Sequence, residues 1–416
     1  MPFIYLITLL CCCVFSLSAK EPVVTGVDIL FELPEYSNLL KGKRIGLITN
    51  HTAVNKNLQT TESVLKQNAA VNGYTVVALF APEHGLKGFA YASEEIYDQK
   101  DADGMAIFSL HGKTRRPTEQ MLKNIDLLIY DIQDIGSRSY TYITTLFYAM
   151  EEASKRNIPV MVLDRPNPIN GRTIDGPMLQ DKWRSFVGYI NVPYCHGMTV
   201  GELARFFNAE YNVGCALNVV PMRGWKRNMT FTDTGLVWIP TSPNVPESTS
   251  TWFYPTTGII GELSMVNIGI GYSLPFKLIG APWINAESFA EQLNRQKYPG
   301  VSFKPFYYRP FNGKFADENC EGVLIVVTDV KKYKPVTTQY LIIGLLKSLY
   351  PQQFKKAIND TKSRKEMFCK VNGTDEVYQM MIGDQPIAWP LRSLHQKERE
   401  VFAEMRKKYL IEAYGK

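Results

Sequence analysis

The stretch RIGLITNH, residues 44–51, is an apolar and β-branched run that ends in an amide and an imidazole. Runs without polar alternation are typical of strands covered on both faces, as in a parallel sheet. Segments with helical patterning follow several such runs, most clearly at 61–69 and 140–156. Strands that alternate with helices predict a βαβ series with right-handed crossovers. Four further apolar runs also end in polar side chains: 75–80, 105–110, 125–130 and 158–163.

The pattern predicts a Rossmann-like α/β domain with a parallel sheet, followed by a second, smaller α/β domain. The first run is not followed by GxGxxG or by a phosphate-binding lysine loop, so a dinucleotide or nucleoside triphosphate ligand is not indicated. From about Trp252, aromatic and proline-rich stretches surround a strand-like run at 322–328 and a helical run at 338–349. We therefore expect a catalytic domain over residues 20–250 and a C-terminal domain over residues 251–416.

Residues 1–19 are predicted to be a signal peptide. The first 18 residues carry no charge, and Ser16 and Ser18 stand at the −3 and −1 positions of a cleavage site. The apolar run is short for a bilayer span of ~20 residues, and no later segment is long and apolar enough. We therefore expect an exported, periplasmic protein without a stable membrane span after cleavage. An uncleaved anchor, or a lipoprotein acylated at one of residues 11–13, remains open at this point.

Charge and cysteine content restrict the remaining classes. The net charge of +6 comes from dispersed lysines and arginines, which does not indicate a nucleic-acid partner. Four cysteines follow the leader, with no CxxC pair and no metal-ligand spacing, and we expect isolated thiols, although export would permit a disulfide. They are Cys195, Cys215, Cys320 and Cys369.

Polar side chains follow nearly every predicted strand. The carboxyl ends of parallel strands share one edge of a sheet, which is where such folds bind ligands. Glu83 is the strongest candidate, because it lies between Pro82 and His84, where no helix cap requires a carboxylate. Turn chemistry alone could explain others, such as Asn50 or Asp134. The candidates at this edge are Asn50, His51, Glu83, His84, His111, Asp131, Gln133, Asp134, Asp164, Arg165 and Asn167.

Other polar residues allow two interpretations each. Arg138 and Arg165 could pair with nearby carboxylates or bind an anionic substrate group. Tyr142 could belong to the core or stack on a sugar. In HGMTVGELARFF, residues 196–207, Thr199 and Glu202 form a predicted capping box, so we interpret Glu202 as structural and expect His196 to face the cleft. No HExxH or similar pair is present, and we expect neither a metal nor another cofactor.

Seven motifs occur in order over most of the chain: GKRIGLITN (42–50), FAPEHGLKG (80–88), YDIQDIGSRSYTYITTL (130–146), LDRPNPINGR (163–172), HGMTVGELA (196–204), SPNVPE (242–247) and PFKLIGAPW (275–283). Together they resemble the exo-β-N-acetylmuramidase family of peptidoglycan-recycling enzymes, of NamZ type. The resemblance implies release of N-acetylmuramic acid from the non-reducing ends of muramyl saccharides derived from peptidoglycan. It also implies a cleft between the two domains and makes Glu83 the leading catalytic candidate.

One segment departs from the family pattern. After a glutamate, here Glu262, the family typically has an amide, a second carboxylate and an arginine before the PF pair. This chain has Met265, Ile268 and Ile270 at those positions. If the missing groups bind substrate, the specificity of this chain is altered, while the fold assignment is unaffected.

Glycoside hydrolysis commonly uses an acid and a second carboxylate. We expect Glu83 to be the general acid, with its pKa raised by partial burial. His84 or Asp131 would orient it, and Asp134 or Asp164 would be the second carboxylate unless the substrate's N-acetyl group assists. Predicted substrate-binding residues are Asn50, Gln133, Arg138, Tyr142, Asp164, Arg165, Asn167, His196 and Glu262. The alternatives are a metal-dependent envelope amidase or esterase, and a wall-sugar-binding protein without activity.

Overall fold

The structure is a computed structural model that describes residues 22–91 and 93–415. The predicted signal peptide lies outside the described residues. A seven-stranded sheet forms the N-terminal half, in the order β3-β4-β2-β1-β5-β6-β7, and only β3 is antiparallel to its neighbour. Its strands are β1 (Arg44–Thr49), β2 (Thr75–Ala81), β3 (Gln99–Lys100), β4 (Ala106–Ser109), β5 (Leu127–Asp131), β6 (Val160–Leu163) and β7 (Leu217–Val220).

The six parallel strands have the order of a Rossmann sheet, with the switch point between β1 and β5. This confirms the predicted Rossmann-like α/β class. The helices of this half are α1 (Gly26–Glu32), α2 (Pro34–Ser37), α3 (Thr61–Asn72), α4 (Glu119–Leu122), α5 (Thr141–Ser154) and α6 (Val200–Glu210), and α7 (Ser250–Gly261) begins the second domain.

A three-stranded antiparallel sheet, α7 and seven further α-helices of the described chain form the smaller second domain, which confirms its α/β class. The sheet order is β8-β10-β9, with β8 (Leu278–Ala281), β9 (Val301–Tyr308) and β10 (Cys320–Val327). Pro305 lies within β9, where it is tolerated because β9 is an edge strand that pairs only with β10. The helices are α8 (Ala286–Arg295), α9 (Pro335–Leu349), α10 (Pro351–Asp360), α11 (Lys365–Asn372), α12 (Glu376–Ile382), α13 (Ala388–Ser393) and α14 (Gln396–Met405).

The strands with long apolar runs agree with the predictions within two residues at each end. β3, β7, β8 and β9 were not predicted. The first three have four residues or fewer and carry little periodic signal, while Pro305 interrupts the strand pattern of the eight-residue β9. The capping box at Thr199 and Glu202 is present, which confirms that prediction. Among the described residues, the four cysteines are buried and free, as expected. No described helix has the length and apolar content needed to cross a membrane.

Arg138 joins the two domains. Its guanidinium is fully buried and donates to the carbonyl oxygens of Pro177 and Val192, each at 2.7 Å, and to those of Val371 and Asn372. The last two carbonyls belong to the C-terminal turn of α11, where a cation is favourable. Burial lowers the pKa of Arg138 to about 10, so the side chain remains charged at neutral pH. The prediction that Arg138 binds substrate is therefore wrong, since both terminal nitrogens of its guanidinium donate within the protein and the residue does not line the cavity described below.

Arg138→Met is expected to destabilise the protein, because it leaves four buried carbonyls without their charged donor. We expect the free energy of unfolding to fall by about 3 kcal/mol or more. Urea unfolding at pH 7 measures this change. The control is Arg295→Met, which removes a largely exposed ion pair with Glu291 and should change stability by less than about 1 kcal/mol. A similar small change for both variants would contradict the role given to Arg138.

Candidate active site

Glu83 lies in a tight turn directly after β2. His84 and Gly85 adopt left-handed backbone conformations, with φ of 70° and 79°, which reverse the chain at the carboxyl end of the strand. One carboxylate oxygen of Glu83 accepts a hydrogen bond from the Thr141 hydroxyl at 2.6 Å. The other accepts one from the backbone N–H of Ser93 at 2.9 Å. The turn and these two donors hold the carboxylate in one orientation.

The surroundings of Glu83 favour its ionised form. Thr141 is the first residue of α5, so the carboxylate lies at the positive end of that helix dipole. Burial raises the pKa of Glu83, but His111, whose Nε2 lies 3.7 Å from the carboxylate, and the hydrogen bonds from Thr141 and Ser93 outweigh it. The net pKa is lowered. The prediction that burial raises the pKa of Glu83 is therefore wrong, because the sequence did not reveal these donors.

Glu83 faces a cavity of about 410 Å³ that both domains line. The polar side of this cavity includes Ser139, Thr141 and Asn244, while Ile268, Ile270 and Phe276 make another part apolar. The segment that departs from the family pattern therefore contributes directly to the wall. The remaining lining residues are His84, Tyr91, Ser93, Tyr140, Val187, Ser242, Pro243, Tyr254, Gly258, Gly261, Glu262, Ser264, Val266, Asn267, Lys314, Met367 and Val371.

Glu262 is a second carboxylate in this cavity and has the opposite electrostatic environment. It is the C-cap residue of α7, so it lies at the negative end of a helix dipole, which disfavours a carboxylate charge. Burial raises the pKa of Glu262, and the charge of Arg364 only partly offsets this effect. Tyr254 lies within electrostatic range of both Glu83 and Glu262, and both carboxylates contribute to the raised pKa of its hydroxyl.

Three histidines lie near Glu83 at the same edge of the sheet. His84 lines the cavity, and its Nδ1 donates to the carbonyl oxygen of Ala90 at 2.8 Å. Burial lowers the pKa of His111, although the charge of Glu83 acts in the opposite direction. His51 packs against Gly88, where any side chain would collide with the imidazole, and its Nε2 donates to Pro240 at 2.7 Å. The imidazole that contacts Glu83 is thus His111, and not the predicted His84.

Asp131 and Arg165 form a buried ion pair away from the cavity lining. Arg165 donates to both carboxylate oxygens, and Thr61 donates to one of them at 2.5 Å. Arg165 also donates to the carbonyl oxygen of Val54 at 3.0 Å. These contacts contradict the predicted orienting role of Asp131 beside Glu83. They likewise contradict a substrate-binding role for Arg165, because its guanidinium is already paired.

Asp164 is the centre of a second buried network and does not line the cavity. Its oxygens accept hydrogen bonds from the Thr199 hydroxyl and the Tyr414 hydroxyl, each at 2.7 Å, and from the Gly201 N–H at 2.8 Å. Burial raises the pKa of Asp164 to about 6. This carboxylate fixes the start of α6 and the C-terminal segment. The structure does not support its predicted role as a second catalytic carboxylate or substrate ligand.

The remaining predicted ligands are also used within the protein. Asn50 accepts from both the N–H and the hydroxyl of Thr52, as in a turn. The side-chain amide of Gln133 donates to the carbonyl oxygens of Asp134 and Pro166. The side-chain amide of Asn167 donates to the carbonyl oxygen of Met198. These contacts hold the loops at the sheet edge and leave the predicted substrate contacts of these three residues unsupported.

Tyr142 and His196 are fully buried. The Tyr142 hydroxyl donates to the carbonyl oxygen of Thr241 at 2.7 Å, which makes Tyr142 a core residue and not a stacking surface. Burial, with the charges of Arg406 and Arg138, lowers the pKa of His196 to about 3, so this imidazole is neutral. Neither residue lines the cavity, so the prediction that His196 faces the cleft is wrong.

Asp134 is buried behind the cavity wall. One oxygen accepts from the Gly136 N–H at 2.7 Å, while the other has no protein partner among the described residues. Burial raises the pKa of Asp134 to about 7. Its charge influences both Tyr140 and Tyr254, which line the cavity. Asp134 therefore acts on the site only through these tyrosines and is not the second carboxylate of the cavity.

The site thus contains residues that the motif analysis did not select as ligands. Thr141, Tyr254 and Lys314 reach the cavity from a helix start, a helix interior and a loop of the second domain. The only available signal was for Thr141, which lies within the motif at 130–146. Within residues 22–91 and 93–415, no three histidine, cysteine or acidic side chains are grouped so that they could hold a metal ion.

Two carboxylates face one interdomain cavity of this α/β fold, and a pair of carboxylates is what glycoside hydrolases commonly use. Family models of the exo-β-N-acetylmuramidase NamZ match residues 45–249 with the N-terminal domain and residues 252–411 with the C-terminal domain. The chain belongs to the exo-β-N-acetylmuramidase NamZ family. It is 43% identical over 396 residues to the peptidoglycan β-N-acetylmuramidase NamZ of Bacillus subtilis (strain 168), covering 95% of this chain and 92% of that protein.

Two solved structures share the fold, and both are DUF1343 family proteins from Bacteroides fragilis NCTC 9343. One is 40% identical with a TM-score of 0.87, and covers 94% of this chain and 100% of its own. The other is 27% identical with a TM-score of 0.68, and covers 94% of this chain and 99% of its own. The likeness therefore extends over both domains.

Proposed function

We propose that this chain is an exo-acting glycoside hydrolase that releases N-acetylmuramic acid from the non-reducing ends of peptidoglycan fragments. The observation that carries the proposal is the pair of cavity carboxylates, Glu83 and Glu262, whose pKa values are shifted in opposite directions. Such a pair supplies one ionised and one protonated carboxyl group over the same pH range, which is what glycoside hydrolysis requires. The similarity to a peptidoglycan β-N-acetylmuramidase indicates the substrate.

The two electrostatic environments suggest which carboxyl group is the general acid and which one stabilises the developing charge. Glu262, with its raised pKa, would protonate the leaving oxygen as the C1–O bond breaks. Glu83, with its lowered pKa, would stabilise the positive charge that develops on C1 and the ring oxygen. Water would then form the new C1–O bond and return a proton to Glu262, which restores the acid. This assignment gives the role of general acid to Glu262 and not, as the sequence suggested, to Glu83. The volume of about 410 Å³ lies toward the lower end of the ~300–1,000 Å³ typical of ligand pockets, which suits a chain end.

Glu83→Gln should abolish most turnover, because a neutral amide cannot stabilise the charge that develops at C1. We expect kcat to fall by about 10²–10⁴-fold. The measurement is incubation with defined muropeptides followed by mass spectrometry, which identifies the released sugar and the chain end attacked. Glu291→Gln, at an exposed glutamate of α8, is the matched control and should retain full activity. Full activity of Glu83→Gln, or wild-type products without N-acetylmuramic acid, would refute the proposal.

Glu262→Gln should distinguish the acid from the charge-stabilising group. A glycoside with a poor leaving group needs the proton, whereas a dinitrophenyl glycoside does not. We expect a loss of about 10²–10⁴-fold on the muropeptide and a much smaller loss on the dinitrophenyl glycoside. Glu83→Gln should be impaired on both substrates.

The pH profile provides a second measurement for the same assignment. The active form has Glu83 ionised and Glu262 protonated, so kcat/KM should fall in acid as Glu83 protonates and fall at higher pH as Glu262 ionises. The high-pH fall should disappear in Glu262→Gln. An unchanged high-pH limb in that variant would exclude Glu262 as the acid.

The N-terminal residues suggest the compartment in which the protein acts. We infer that the N-terminal leader directs export and is cleaved after Ser18, so that the mature protein meets its substrate in the periplasm. The uncharged apolar run and the serines at the −3 and −1 positions support this view. N-terminal sequencing of the protein isolated from the periplasmic fraction should begin at or near residue 19. A protein that keeps Met1, or carries a lipid on residues 11–13, would contradict it.

A further inference from the structure

A carboxylate on the substrate needs a cationic partner in the cavity, and the arginines near Glu83 cannot provide it. Arg138 donates to four backbone carbonyls at the domain junction. Arg165 is paired with Asp131. Both side chains are nearly fully buried. Any recognition of an anionic sugar in this cavity must therefore use another residue.

Lys314 is the one lysine or arginine among the described residues that line the cavity. It lies in the loop between β9 and β10, and its backbone oxygen accepts a hydrogen bond from the Asn267 side chain at 2.9 Å. Asn267 also donates to the carbonyl oxygen of Ile270 at 3.0 Å, so one amide ties the Lys314 loop to the opposite wall segment. The position of Lys314 is thus fixed by the fold of the second domain.

The ammonium group of Lys314 is available for a ligand. It lies 4.4 Å from the centre of the Phe315 ring, and no described carboxylate is within ion-pair distance of it. The side chain is half-buried, and the adjoining wall includes Ile268 and Ile270. Apolar surroundings exclude water and strengthen an ion pair that forms on binding.

The other cavity charges make such a cation necessary. Glu83 is ionised in the free protein, and a second negative charge on the ligand would be repelled. The raised pKa of Glu262 reduces that repulsion on its side of the cavity. Lys314 supplies the one compensating positive charge from a lysine or arginine in the described lining.

We propose that Lys314 binds the carboxylate of the substrate's lactyl ether and thereby selects N-acetylmuramic acid over N-acetylglucosamine at the chain end. The inference rests on the proposed function, because it names the group that recognises that substrate. Lys314 is a specificity residue and takes no part in bond breaking. The proposed partner of the lactyl carboxylate is therefore Lys314, and not Arg138 or Arg165.

The test compares two dinitrophenyl glycosides, one of N-acetylmuramic acid and one of the same sugar with its lactyl carboxylate converted to an amide. Lys314→Gln should lower kcat/KM for the acid by about 10–100-fold, mainly through KM, since a charge-assisted hydrogen bond is lost. It should leave kcat/KM for the amide nearly unchanged. Lys314→Arg should restore most of the activity on the acid, because the positive charge is kept.

Lys304→Gln, at an exposed lysine of β9, is the matched control and should behave as the wild type on both glycosides. Thermal unfolding of each variant verifies that the fold is retained. Equal losses on the acid and the amide, or no loss on the acid, would overturn the role of Lys314 alone. A wild-type protein that hydrolyses neither glycoside would instead overturn the proposed function.

Discussion

The buried carboxylates Asp131 and Asp164, at the carboxyl ends of the neighbouring strands β5 and β6, impose the constraint on which the active-site edge depends. A buried charge is tolerated only when it is paired and hydrogen-bonded. Arg165 and Thr61 satisfy Asp131, while Thr199, the start of α6 and Tyr414 satisfy Asp164. Each of these bonds fixes a loop or helix end at the sheet edge.

The two cavity carboxylates lie beside two helix termini that face the same space from different directions. The N-terminus of α5 favours the charge of Glu83, and the C-terminus of α7 disfavours that of Glu262. Burial without a strong donor raises the pKa of Glu262, whereas His111 and the hydrogen bonds from Thr141 and Ser93 lower that of Glu83. Two glutamates with the same intrinsic acidity therefore differ in pKa because of their surroundings, which the residue type alone does not reveal.

The predictions for the sheet succeeded where the sequence carries a long periodic signal. β1 and β5 are continuous apolar runs, and such runs are typical of strands that are covered on both faces. Predictions for individual polar residues were less successful. Glu83 was placed correctly in the cavity, whereas Arg138 and Tyr142, both from the motif at 130–146, proved to be parts of the domain junction and the core. A polar residue at a sheet edge can bind a ligand or hold a loop in place, and the sequence pattern is the same in both cases.

The sequence by itself determined the Rossmann-like class, the position of Glu83 after β2 and the capping box that begins α6. These features follow from contacts between residues close together in the chain, or from the burial of a whole strand. The motif analysis also placed Glu262 in the site. Only the tertiary structure decided that Lys314 shares the cavity with Glu83 and Glu262, and that His111 and Thr141 contact the Glu83 carboxylate. His111 and Thr141 come from other βα units of the same domain, and Lys314 comes from the second domain, so that long-range packing brings these residues to Glu83.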